Sequence, residues 1–157
     1  MILHTVRLAA PDDVEELVAL CAEHASFERT SYDAAGKAAG LREALFGRNP
    51  RLMAWVVTVN GLTAGYATAT QDFSTWQASS YLYMDCLFVR PAWRNAGLGG
   101  ALLGILVQCA RDRGLGELQW QTPAWNVDAC RFYRRHGAVG IDKTRFCLTI
   151  GAVPLNP

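Results

Sequence analysis

Three groups of residues have types and spacings suited to chemistry. The run Arg94, Asn95, Ala96, Gly97, Leu98, Gly99, Gly100 joins an apolar stretch to an amphipathic one. Glycines let a backbone approach a ligand closely, and the free N–H groups in the first turn of a helix, together with its dipole, favour phosphate oxygens. Arg94 can add a charge-assisted bond, so a diphosphate suits this turn. The same glycines would also serve a tight turn that only permits close helix packing. The run lacks the GxxxxGK[ST] of a phosphate-binding loop and the GxGxxG of a dinucleotide site, which disfavours nucleotide hydrolysis and hydride transfer.

The second group is PAWNVDACRFYRRHGA, where Asn126 precedes Tyr133 by close to two helical turns, so both could meet one ligand. A phenol with a reference pKa of about 10 is a suitable acid for a departing thiolate, whose reference pKa is about 8.5. Equally, Asn126 suits a helix cap and Tyr133 a core position with its hydroxyl satisfied. The third feature is Asp85, set in the otherwise apolar run YLYMDCLFV. A carboxylate buried there needs a partner or a purpose, because desolvation raises its pKa toward a range useful for accepting a proton. It is a candidate base or anchor for an incoming ammonium group, or one half of a structural pair with an arginine.

These residues need elements to hold them. Ile2 to Leu8 reads as a strand, and AAPDDVEELVALCAEH as a helix with Pro11 at its start and acids in its first turn. Val14, Leu17, Val18 and Cys21 form one apolar stripe. A second helix is expected around Ala34 to Phe46. Leu52 to Val59, then Asn60 and Gly61, then Leu62 to Thr70 predict a β-hairpin, since Asn-Gly supplies the positive φ angles of a type I′ turn. Gln71 to Ser80 is polar and loop-like, and YLYMDCLFV reads as a central strand buried on both faces. A helix follows the glycine-rich turn, with Leu98, Ala101, Leu102, Ile105, Leu106 and Cys109 along one side. Leu118 to Thr122 is a strand candidate, Val127 to His136 a short helix closed by Gly137, and Ala138 to Ile150 a final hairpin. The order of elements predicts an α/β fold with a mixed sheet rather than a doubly wound parallel one.

The chain's 157 residues, 51% of them hydrophobic, suit one domain spanning residues 1–157 with a single core. Fifteen basic against 14 acidic residues leave a net charge of +1, which gives no electrostatic footprint for nucleic acid. The N-terminal residues lack the pattern of a signal peptide, and Leu98 to Ala110 is too short to cross a bilayer, so a cytoplasmic protein without membrane contact is expected. Five cysteines, at 21, 86, 109, 130 and 147, form no CxxC pair and suggest neither a disulfide framework nor a metal site.

The run YLYMDCLFVRPAWRNAGLGGALL, followed downstream by AWNVDACRFYRRHGA, resembles the GNAT superfamily of acyl-CoA-dependent N-acetyltransferases. Arg94 to Gly99 fits its [RQ]xxGxG signature. Within the superfamily the chain is most similar to the diamine (spermidine/spermine) and thialysine N-acetyltransferases. That likeness extends to Phe27 and Glu28, the FGRNP turn, Trp76 and the acidic position of Asp85. The resemblance implies a mostly antiparallel central sheet of about six to seven strands with helices on both faces. It implies direct transfer of acetyl from acetyl-CoA to a primary amine in a ternary complex, with no metal. Leu87, Phe88 and Val89 would pair with pantetheine amides as an added strand would, and backbone N–H groups near Leu87 and Phe88 would polarise the thioester carbonyl. Arg94 to Gly100 would hold the pyrophosphate, Asn126 and Tyr133 would lie along the pantetheine arm, and Tyr133 would protonate the leaving sulfur. Glu28, Asp85 and Trp76 would meet the acceptor, and Asp85, directly or through water, would take its proton. A homodimer is also implied.

Two departures from the diamine enzymes bear on the acceptor. Those enzymes usually carry Glu then Asp where this chain has Asp85 then Cys86, so one carboxylate is shorter and the next is absent. That suits a small amine or amino acid better than a long polycation. Arg90, Arg131, Arg134 and Arg135 are available for the adenine and ribose phosphate, or form a solvated face. Protein amino groups and aminoglycosides present the same nucleophile. Two other readings differ in kind: a thiol acyltransferase using a covalent cysteine with His4, His24 or His136, and a non-catalytic acyl-CoA-binding sensor or interaction module.

Overall fold

A computed structural model describes residues 2–151. The chain divides into two compact units, Met1–Pro123 and Ala124–Pro157. The first unit runs β1 (His4–Leu8), α1 (Val14–Phe27), α2 (Lys37–Phe46), β2 (Met53–Val59), β3 (Leu62–Ser74), β4 (Ser79–Val89), α3 (Leu98–Asp112) and β5 (Leu118–Gln119). The second contains α4 (Val127–Arg135).

The strands form one sheet in the order β1-β2-β3-β4-β5, antiparallel except for the parallel β4–β5 pair. Five described strands replace the six to seven expected. Residues 138–150 form no strand, and Val139, Phe146 and Ile150 there are exposed, so the expected closing hairpin is corrected. Alternating apolar residues are insufficient by themselves, because an isolated two-stranded hairpin with no further strand to cover it is marginal in water.

The β2–β3 turn follows the sequence expectation: Asn60 and Gly61 have φ of 50° and 78°, as a type I′ turn requires. The next hairpin is longer than expected. Gln71 to Ser74 and Ser79 to Ser80, read as loop, continue the β3–β4 ladder out to Ser74↔Ser79. Cross-strand pairing overrides their polarity, since each residue gains a partner there.

Both faces of the sheet are covered. On one, Leu17 and Leu20 of α1 and Leu45 of α2 join Ala54, Val56, Tyr66 and Phe88 in a buried cluster. On the other lies α3, whose Cys109 sulfur meets that of Met53 at 4.0 Å. Consecutive β2 residues Ala54, Trp55, Val56 and Val57 are all buried, as a strand between two helical layers demands. Gly65 is needed where β3 meets the end of β4. A Cβ there would collide with the Phe88 carbonyl oxygen and crowd Val89. Among the described residues, no helix is long and apolar enough to cross a membrane.

Candidate active site

The site begins with an irregularity in β4. Its register against β3 steps from Thr68↔Cys86 to Ala69↔Met84, which leaves Asp85 as the extra residue of a β-bulge. Asp85 is therefore exposed, which corrects the expectation of a carboxylate buried within an apolar strand. The sequence run gave no sign of this, because a bulge depends on the partner strand.

The other edge of β4 is also interrupted. β5 pairs with β4 only at Leu82↔Leu118 and Tyr83↔Gln119. From Met84 to Val89 that edge has no strand partner among the described residues, so Leu87, Phe88 and Val89 lie on an open edge. After Val89 the chain turns through Pro91–Trp93 into the Arg94–Gly100 loop. Asn95 and Gly97 have φ of 61° and 85°, and Gly97 caps α3 in the left-handed conformation. The Gly97 carbonyl accepts from the Ala101 N–H at 3.0 Å. The N–H groups of Leu98, Gly99 and Gly100 occupy the first turn, where a helix supplies no internal acceptor. An open strand edge and a helix N-terminus thus succeed one another, an arrangement that fits an extended arm of amides ending in a diphosphate.

Arg94 turns back from this loop. Its Nε donates to the Val89 carbonyl at 2.9 Å, and its guanidinium lies 4.5 Å from the Phe27 ring centroid and 5.5 Å from that of Phe88. It forms one wall of a cleft of about 580 Å³ together with Phe88 and Pro91, opposite Ala22, Glu23, Ser26 and Phe27 of α1. Arg90 fixes the spacing of these walls, donating to Glu16 at 2.8 Å, to Glu23 at 2.7 Å and to the Thr63 carbonyl at 2.7 Å. Arg90 is thus engaged with α1, where the sequence left it open between a phosphate contact and a solvated face.

Sequence reasoning missed a cluster beneath this cleft. His24 stacks on Phe88 with centroids 5.1 Å apart, its Nδ1 lies 3.1 Å from the Tyr66 hydroxyl, and its Nε2 lies 3.4 Å from Glu28 Oε1. Burial lowers the His24 pKa, against the opposing pull of Glu28. Tyr66, 1% exposed, has its phenol pushed far above the usual value by burial. The helical spacing of His24 and Glu28, i and i+4, was the available signal. Cys86 is pushed up to about 12 and Cys21 is also raised, both chiefly by burial. Desolvated thiols of this kind are the opposite of an activated nucleophile, which disfavours the covalent cysteine reading.

Of the acceptor residues named from the sequence, Glu28 and Asp85 both act electrostatically on His24. Trp76 does not join them in this chain. It sits 97% exposed in the β3–β4 turn, beyond Ser79 and roughly 20 Å along β4 from Asp85 at the rise of a strand.

In the second unit, Asn126 caps α4, its Oδ1 accepting from the Ala129 N–H at 3.2 Å. Tyr133 lies near the end of the same helix, half-buried and edge-on to Phe132 at 5.2 Å. Arg131 reaches Asp128 at 3.4 Å.

Comparison with known proteins establishes the family. Residues 13–138 match the acetyltransferase (GNAT) family, and the chain belongs to it. It is an acetyl-CoA-dependent N-acetyltransferase. It is 30% identical over 134 residues to a thialysine N-epsilon-acetyltransferase of Caenorhabditis elegans, covering 85% of this chain and 82% of the relative. Its mouse counterpart is 26% identical over 141 residues, again covering 85% and 82%. Among solved structures, aminoglycoside N-acetyltransferase AAC(6')-Iy in complex with CoA superposes with a TM-score of 0.79 at 15% identity, covering 94% of this chain and 95% of that one, which establishes the shared fold.

Proposed function

We propose that the chain transfers acetyl to the primary amine of a small molecule, a diamine or a thialysine-like amino acid, in a ternary complex. The observation that carries this reading is the open edge of β4 from Met84 to Val89, leading into the N-terminus of α3. Acetyl-CoA supplies the thioester. Leu87, Phe88 and Val89 hold its amide arm, and the backbone from Arg94 to Gly100 holds its diphosphate. The acceptor's ammonium group is drawn to Glu28 and Asp85, and Asp85, directly or through water, takes the proton that must leave before the nitrogen lone pair is free. Support for a small cationic acceptor comes from these two carboxylates, both close enough to His24 to act on it, and from the thialysine-named relatives. Asn126 and Tyr133 belong to the cofactor's arm in this reading, and Tyr133 gives its phenolic proton to the departing sulfur.

The protein is proposed to work in the cytoplasm as a homodimer; exposed Phe73 and Trp76 on the long β3–β4 hairpin provide apolar surface for association. Incubation with acetyl-CoA and a pooled amine library, read as a mass gain of one acetyl group, tests the activity. A product from a diamine or thialysine is expected. Saturable acetyl-CoA binding with no acetylated amine would replace the reading with that of a sensor. Tyr133→Phe is expected to lower turnover about 100-fold while leaving acetyl-CoA affinity nearly constant, and equal turnover in mutant and parent would remove the acid role.

A further inference from the structure

We propose that His24 is a positioning residue that orients the Glu28 carboxylate toward the acceptor's ammonium group and, by taking up a proton, switches that carboxylate off. The inference rests on the reading of Glu28 as an acceptor contact. Its basis is a three-member chain across α1 and β3. A carboxylate can only accept, so the His24 nitrogen facing Glu28 Oε1 at 3.4 Å must carry the hydrogen. In a neutral ring Nδ1 is then the acceptor, and the Tyr66 hydroxyl, 3.1 Å away, is its donor. Burial keeps that phenol protonated, so it can hold this role throughout the working range of pH. Phe88 fixes the plane of the ring by stacking at 5.1 Å, and Phe88 also lines the cleft. The His24 side chain is 15% exposed and that of Glu28 is 34% exposed, so the carboxylate faces outward from a largely buried support.

Protonation upsets this chain in two ways. Nδ1–H and Tyr66 O–H become two donors facing each other, and an imidazolium beside Glu28 neutralises the charge intended for the ammonium group. The groups that set the balance come from every neighbouring element. Glu28 on the α1 side and Asp85 on β4 favour the proton, while Arg94 opposes it. Cys21 on α1 and Cys86 on β4 neighbour the same Tyr66, and burial keeps both as neutral thiols. Burial is the largest effect and keeps the ring neutral at ordinary pH.

The test combines 15N-histidine NMR with steady-state kinetics, using thialysine as the acceptor. In the full chain the His24 signals are expected to report Nε2 protonated and Nδ1 bare near neutral pH, and to move on addition of thialysine; Glu28→Gln should abolish that movement. His24→Leu is expected to raise the KM for thialysine about tenfold while the KM for acetyl-CoA stays constant. His24→Gln offers an amide donor near the former Nε2, so it should recover much of the thialysine KM while shifting the acidic limb of the kcat/KM profile to lower pH, leaving only the fall that protonation of Asp85 produces. A thialysine KM unaffected by His24→Leu, equal changes in both KM values, or a bare Nε2 would overturn the inference. Thialysine-dependent shifts at His24 without any acetylated product would uphold it as a binding device and remove the activity reading instead. Turnover that proceeds while His24 and its variants make no difference would do the reverse.

Discussion

The two halves of β4 belong to one strand and have opposite uses. Ser79 to Tyr83 is laddered to β3 throughout and, at Leu82 and Tyr83, to β5 as well; Leu82 is completely buried. Met84 to Val89 carries a bulge at Asp85, an open edge, and the Phe88 ring on which His24 stacks. An interrupted ladder leaves backbone groups and side chains for a ligand to use, whereas a complete one consumes them in holding the sheet together. In the proposed function the chemistry therefore gathers where pairing is interrupted.

Substitutions in each half provide the means to break that contrast. The largest effect is expected from Leu82→Ala, which removes a fully buried side chain from the completed half and should cost about 2–5 kcal/mol in denaturant unfolding, with both KM values unchanged in the folded fraction. A loss below about 1 kcal/mol would mean that this half is no more a scaffold than the other. Arg94→Ala, at the foot of the open half, should weaken acetyl-CoA binding about tenfold by calorimetry, and undiminished affinity would detach this arginine from the diphosphate. Asp85→Asn should alter unfolding by no more than about 0.5 kcal/mol, because the carboxylate is exposed, while lowering kcat/KM for the amine several-fold. Destabilisation on the scale of Leu82→Ala would show that the bulge is a structural clasp.

The smallest effect is one of pH. The folded His24 has a lowered pKa, from burial chiefly, so below about 6.5 the unfolded chain takes up a proton that the folded chain resists. Stability from this residue is complete above that pH and declines as pH falls toward the folded value. Unfolding midpoints measured across this interval should slope downward for the parent and less steeply for His24→Leu. Parallel slopes would mean that the ring is not desolvated.

Local signals in the sequence translated directly into structure. Asn60-Gly61 specified its hairpin, the Val14–Leu17–Val18 stripe became the buried side of α1, and Gly97 took the left-handed cap that opens α3. Each of these depends on neighbours within a few residues. The Asp85 bulge depends on β3, and the His24–Tyr66 contact joins residues 42 positions apart, so neither is written in a local period. His24 and Glu28 were each visible, but their pairing gained meaning only when Tyr66 and Phe88 arrived from β3 and β4. The apolar residues after Ala138 had the alternation of strands but no ladder to enter. Arg90 presented the same difficulty in reverse: its charge was legible, and its commitment to Glu16 and Glu23 was not.

Gly65 carries a consequence for anyone who would redesign this enzyme. The hydrogen that stands in place of a Cβ is what lets β3 approach the Phe88 carbonyl, and the backbone on the other side cannot retreat without moving the aromatic floor on which His24 rests. A saturation library at this codon, screened for acetylated product, should return the parent residue and little else, even though the position touches neither the acceptor nor the thioester in the proposed reaction.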